Sequence, residues 1–123
     1  MAVRKANAVW KGTLKEGSGS LSVQSKLFEQ ASYSFGSRFE EGEGTNPEEL
    51  IGAALAGCFS QAFALELEQA GYPPTSIDTS VAITLEKGSE GFKISKADLE
   101  TRAKVQAIDE GKFRELAEKA KDN

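Results

Sequence analysis

The stretch TNPEELIGAALAGCFSQAF, Thr45 to Phe63, constrains the fold more than any other part of this chain. It has a formal helix start. Thr45 or Asn46 is a suitable N-cap, and Pro47 falls at the first helical position, where its missing N–H costs nothing. Glu48 and Glu49 place carboxylates at the positive end of the helix dipole. Leu50, Ile51, Ala54, Leu55, Cys58, Phe59, Ala62, Phe63 and Leu65 then recur at helical spacing along a wide apolar face. AGYPP, Ala70 to Pro74, stops the pattern with a glycine and two prolines. The helix so predicted has roughly 23 residues, long for a small domain, and Gly52 and Gly57 are the two places where it could break.

The flanks alternate. Ala6, Ala8, Trp10, Gly12 and Leu14 share one strand face, KEGSGS turns, and Leu21 and Val23 continue in strand fashion. This predicts a hairpin with Trp10 as its large inward residue. SKLFEQASYSFGSRFEEGEG has room for a short strand but reads mostly as loop. After the helix, Ile77, Thr79, Val81, Ile83 and Leu85 alternate, EKGSEG turns, and FKISKADLETRAKVQA returns. Phe92 and Ile94 are even-numbered, whereas Leu99, Ala103, Val105 and Ala107 are odd, so a bulge near Ser95–Ala97 is required. A last helix, capped by Asp109, carries Phe113, Leu116, Ala117 and Ala120 on one face. The class is α+β, in one domain over 1–123.

With 123 residues the chain can bury roughly two-thirds of its unfolded surface around one core. Fifteen basic residues scattered among nineteen acids leave a net charge of −4 with no basic patch, which argues against a nucleic-acid partner. No run of 18 apolar residues is present, so no membrane span is expected. One cysteine makes no internal disulfide, and cytoplasm is the expected compartment. With no histidine, tetrahedral zinc sites and Ser-His or Cys-His nucleophile pairs are impossible within the chain.

Cys58 has two readings from pattern alone. It shares a stripe with Ile51, Ala54, Leu55 and Ala62, and free cysteine is among the most buried residue types, so it reads as core. As a nucleophile it would need a nearby cation, or a helix N-terminus, to favour the thiolate. Arg38 and Glu48 are likewise, by local pattern, an ordinary loop cation and a dipole-favoured first-turn acid.

TNPEELIGAALAGCFSQAF, preceded by YSFGSRFEEGEG and followed by LELEQAGYPPTSIDTSVAITLEK, closely resembles the OsmC/Ohr family of thiol-dependent organic hydroperoxide reductases, in its OsmC branch. The similarity runs from about Trp10 to the end. It implies an OsmC-like α+β fold: N-terminal antiparallel strands, a long central helix carrying the cysteine, a β-hairpin and a C-terminal helix, in an intertwined homodimer. It implies a peroxidase acting in oxidative or osmotic stress defence. Cys58 matches the peroxidatic cysteine, Arg38 the arginine that stabilises thiolate and transition-state charge, and Glu48 the acid that orients the arginine. Organic hydroperoxide and an external thiol or dithiol reductant are the implied partners, with no metal or other cofactor. Phe35, Phe39, Leu55 and Phe59 are candidate apolar walls, each also readable as core.

Helix geometry adds a condition. Ten residues separate Glu48 from Cys58, about 15 Å along a straight helix axis, so the two cannot share one site in an unbroken helix of one chain. Either the helix breaks at a glycine or a second subunit contributes. The family's resolving cysteine is expected beyond the last helix, about where this sequence stops at Asn123, so the expectation is either a chain whose C-terminal portion is missing or a shortened member of the family. Leu55 stands where the family often has histidine. Without a resolving cysteine, a rival reading is a catalytically impaired binding or redox-sensing dimer, and a third is a structural dimer with Cys58 inert.

Overall fold

A computed structural model describes residues 2–122. The chain forms two compact units, one up to Leu50 and one from Ile51 onward.

In the first unit, β1 (Ala6–Lys11), β2 (Ser18–Val23) and β3 (Ala31–Tyr33) form an antiparallel sheet in that order. The predicted hairpin is β1–β2. It turns where a side chain on Gly17 would collide with the backbone oxygens of Lys11 and Thr13. Leu14 belongs to that turn rather than to the strand face. Trp10 lies opposite Gly19, and Gly19 opposite Tyr33, so the two aromatic residues flank a glycine across three strands. A Cβ on Gly19 would stand 2.5 Å from Tyr33 Cε1 and 2.6 Å from Trp10 Cε3. Only glycine lets the rings close over β2.

The segment expected to be mostly loop holds both β3 and a short helix, α1 (Phe35–Phe39). Five residues give no periodicity to read. The helix is declared by its cap instead: Ser37 N donates to Ser34 Oγ at 3.1 Å and Ser34 N donates back to Ser37 Oγ at 2.9 Å.

Helix α2 runs unbroken from Pro47 to Gln69, through both glycines. Gly52 lies where a Cβ would meet Ile83 Cγ1 at 3.4 Å; it serves close packing, not interruption. The helix ends as the sequence predicts, in a Schellman motif. Gly71 takes φ 90°, its N–H donates to Glu68 O at 3.0 Å, and Tyr72 N donates to Leu67 O at 2.8 Å.

In the second unit, β4 (Pro74–Gly88) and β5 (Gly91–Val105) form a long antiparallel hairpin. Thr84 pairs with Lys96 and Leu85 with Ile94, so Ser95 is the extra residue of the expected bulge. Helix α3 (Glu110–Lys121) is capped by Asp109, whose side chain accepts from Lys112 N at 2.7 Å. Phe63 and Leu67 of α2 pack with Leu116 and Ala120 of α3 as the buried core, and Phe113 meets the Phe63 ring edge-on at 5.1 Å. Glu66, almost fully buried, is held by Lys119 at 3.3 Å. Hydroxyls tie the helix to the hairpin, Ser60 to Thr79 at 2.8 Å and Thr79 to Thr101 at 3.0 Å.

From Leu50 to Leu65, α2 carries no charged residue, and it is long and apolar enough to cross a membrane by length and composition alone. Gly52, Gly57, Ser60 and Gln61 interrupt the apolar run, which is why the sequence shows no unbroken stretch of 18 apolar residues here. Apolar residues lie on two sides. The inner stripe includes Gly52, Phe59, Phe63 and Leu67, packed or half-buried. The outer stripe, at 4-3-4-3 spacing, is Ile51, Leu55, Cys58, Ala62 and Leu65, with Ile51 40%, Leu55 38% and Leu65 51% exposed.

Candidate active site

Arg38 lies in the last turn of α1 and Glu48 in the first turn of α2. Their meeting is built by the two helix starts. Asn46 is the N-cap of α2: its Oδ1 accepts from Glu49 N at 2.7 Å, and its Nδ2 donates to Ser37 O at 2.8 Å. One amide side chain thus satisfies an orphan donor of α2 and clasps α1 beside it. Thr45, the other candidate cap, donates from Oγ1 to Glu49 Oε2 at 2.7 Å.

The clasp puts guanidinium against carboxylate. Arg38 Nε donates to Glu48 Oε1 at 3.0 Å and more weakly to Oε2 at 3.4 Å, while Nη2 donates to Oε2 at 3.3 Å. Glu48 is only 7% exposed, whereas the Arg38 side chain keeps 36% of its surface. Two N–H groups of one planar fork on two carboxylate oxygens fix the orientation of the guanidinium. Arg38 Nη1 has no protein acceptor among the described residues. The guanidinium carbon stands 4.9 Å from the Phe39 ring centroid, and Phe35 and Phe39 are 5.0 Å apart. The arrangement can present a fixed, half-exposed cation to an anionic atom.

Cys58, in the second unit, is exposed on the outer stripe of α2. The core reading from periodicity is therefore wrong, because the helix is apolar on both sides and its own chain packs against the other one. Of the candidate walls, Phe35 and Phe39 stand with Arg38, Leu55 is exposed beside Cys58, and Phe59 packs on Phe63 at 5.7 Å as core. Sequence reasoning missed Ser37 and Asn46 as positioning residues. The serine pair spaced three apart, Ser34 and Ser37, was the available signal. Among the described residues, no three His, Cys, Asp or Glu side chains are grouped to hold a metal ion.

The family model described as OsmC-like protein matches residues 40–123. Peroxiredoxin OsmC of Escherichia coli (strain K12) is 47% identical over 118 residues, covering 96% of this chain and 82% of that protein. The chain belongs to the OsmC-like family. Peroxiredoxin OsmC of Shigella flexneri matches to the same extent, 47% over 118 residues. The OsmC-like fold is shared with crystal structures of more distant sequence. An organic hydroperoxide resistance protein OsmC from Legionella pneumophila superposes with a TM-score of 0.70 at 21% identity, over 99% of this chain and 85% of that one. The organic hydroperoxide resistance protein OhrB of Bacillus subtilis gives 0.67 at 20% identity, over 96% and 84%. The α+β order of strands, long central helix, hairpin and C-terminal helix is thus the OsmC-like order.

Proposed function

We propose that this OsmC-like protein is a cysteine-based peroxidase that reduces organic hydroperoxides to alcohols, with its two compact units working as one domain. The observation that carries the reading is the Arg38–Glu48 fork: a buried acid orienting a half-exposed cation, in a chain 47% identical to a peroxiredoxin. Cys58 supplies the nucleophile. Its thiolate sulfur attacks the terminal oxygen of R–O–OH, so an S–O bond forms as the O–O bond breaks. Sulfur is oxidised by two electrons to sulfenic acid, and the departing alkoxide takes the proton that left the thiol and becomes the alcohol. Arg38 stabilises the negative charge as it moves from sulfur to the leaving oxygen. Two equivalents of an external thiol, or one dithiol, then return Cys58 to the thiol, releasing water and a disulfide. The chemistry requires no metal or organic cofactor.

The site belongs to a homodimer in this reading. Because α2 does not break, Glu48 and Cys58 lie ten residues, about 15 Å of helix, apart, and a partner chain supplies what one chain does not. The outer stripe supports it: Ile51, Leu55 and Leu65 are exposed at helical spacing on one side of α2, an apolar face suited to packing against a second copy. Burial against a second copy also accounts for the apolar length of α2 without a membrane. The setting proposed is oxidative or osmotic stress defence in the cytoplasm, with no nucleic-acid partner.

Steady-state consumption of cumene hydroperoxide with a dithiol donor tests the enzyme. The expected result is turnover that Cys58→Ser lowers by on the order of 10³-fold or more, with intact mass rising by one oxygen on Cys58 when no thiol is supplied. Absence of turnover with oxidation of Cys58 retained favours the redox-sensing dimer; neither effect leaves only a structural role.

A further inference from the structure

Trp10 and Tyr33 are the aromatic residues of the first sheet, and the peroxidase reading leaves both without a task. Trp10 forms one wall of a recess of about 170 Å³ whose other sides are Leu14, Tyr33, Phe35, Arg38 and Phe39. The recess lies wholly within the first unit and contains the same arginine that Glu48 orients. Its shape follows from the sheet register. Trp10 and Tyr33 flank Gly19, whose missing side chain lets their rings approach to 5.4 Å between centroids at a 56° tilt. Trp10 is further pinned by its own Nε1–H, which donates to Gly12 O at 3.1 Å. Phe35 and Phe39, also tilted against each other, close the far side.

We propose that this recess seats the organic half of the hydroperoxide and selects a single aryl ring over an extended acyl chain, with Trp10 as the specificity-determining residue. Size is the first argument. An apolar cavity of about 150 Å³ takes one benzene ring, and this one is barely larger. Chemistry is the second. Four aromatic side chains offer the edge and face contacts that favour an aromatic guest, while a flexible chain gains no such geometry and loses more conformational freedom on binding. The third is the polar end. Arg38 lines the recess with Nη1 uncommitted to any protein acceptor among the described residues, so a ring seated there has a cation beside its oxygen-bearing carbon.

The proposal rests on the peroxidase reading, and its test separates the two. Trp10 is the chain's single tryptophan, so its emission reports on the recess alone. In Cys58→Ser protein, titration with 2-phenyl-2-propanol is expected to shift or quench that emission saturably, and 1-nonanol to leave it unchanged. Emission indifferent to the aryl alcohol overturns the proposal. In the active protein, Trp10→Ala is expected to lower kcat/KM for cumene hydroperoxide by about 10-fold or more, the scale of losing a shaped apolar contact, and to change that for linoleic acid hydroperoxide by less than about threefold. Trp10→Phe, which keeps a ring in the sheet, is expected to fall between. An equal loss on both substrates in both variants overturns the recess as a selector while leaving the peroxidase standing. Wild-type protein that consumes neither hydroperoxide removes the peroxidase reading and this proposal with it.

Discussion

Glu48 and Cys58 ride on one helix, yet their surroundings are opposite in kind. At the start of α2 the chain completes everything it begins: Asn46 caps the helix and clasps α1, and Glu48 is enclosed with both carboxylate oxygens engaged by Arg38. Further along, the inner stripe closes on α3 and the hairpin, while on the stripe that carries Cys58 only Ala62 packs against that core and Ile51, Leu55, Cys58 and Leu65 stay exposed. One chain is sufficient to orient the cation. It leaves Cys58, the nucleophile proposed above, exposed. A charge pair is satisfied by two side chains at hydrogen-bond distance, whereas an apolar stripe is covered only by packing against another surface.

The contrast is most directly broken on the outer stripe. Leu65→Glu is expected to carry sedimentation at micromolar concentration from dimer to monomer and to abolish hydroperoxide turnover, although the Arg38–Glu48 pair is untouched. Full activity from a monomer would remove the second subunit from the site. On the inner stripe, Phe63→Ala is expected to cost about 3–5 kcal/mol in denaturant unfolding, because Phe63 is fully buried against Leu116 and Phe113. A loss below about 1 kcal/mol would mean that the α2–α3 core is not what holds the second unit.

At the completed end, Glu48→Gln keeps the shape of the side chain and removes the charge that orients Arg38. A fall in kcat/KM of about 10- to 100-fold is expected, the scale of slightly misplacing a catalytic group. Restoration by Glu48→Asp to within a few-fold of wild type would mark the carboxylate, not side-chain length, as the orienting element; unchanged kinetics in Glu48→Gln would reduce Glu48 to a first-turn acid. The smallest effect is expected from Asn46→Ala. Loss of the cap costs about 1 kcal/mol, read as a lowered unfolding midpoint, and loss of its bond to Ser37 O loosens α1, so KM rises with little change in the melting of the hairpin.

Much of this was legible in the letters. Pro47 after a capping asparagine, Gly71 before two prolines, Asp109 before Glu110, and the change of phase around Ser95 each act through neighbouring backbone, and each appears where the sequence places it. Helix α1 was not legible, because a five-residue helix has no period and its serine pair is a weak mark. The Trp10–Gly19–Tyr33 row was not legible either, since it depends on the register of three strands. The family assignment rests on the letters around Cys58, which carry the resemblance whether or not the side chain is buried.

By itself the sequence determined the long capped helix, the order of strands and helices around it, and the membership in the OsmC-like family. Tertiary structure alone decided that α2 stays whole through Gly52 and Gly57, that α1 brings Arg38 onto Glu48, and that Cys58 faces outward. The physical reason is the same in each case. Caps, turns and bulges are settled by contacts a few residues apart, whereas an all-round apolar helix has no local preference for which side its own chain will cover.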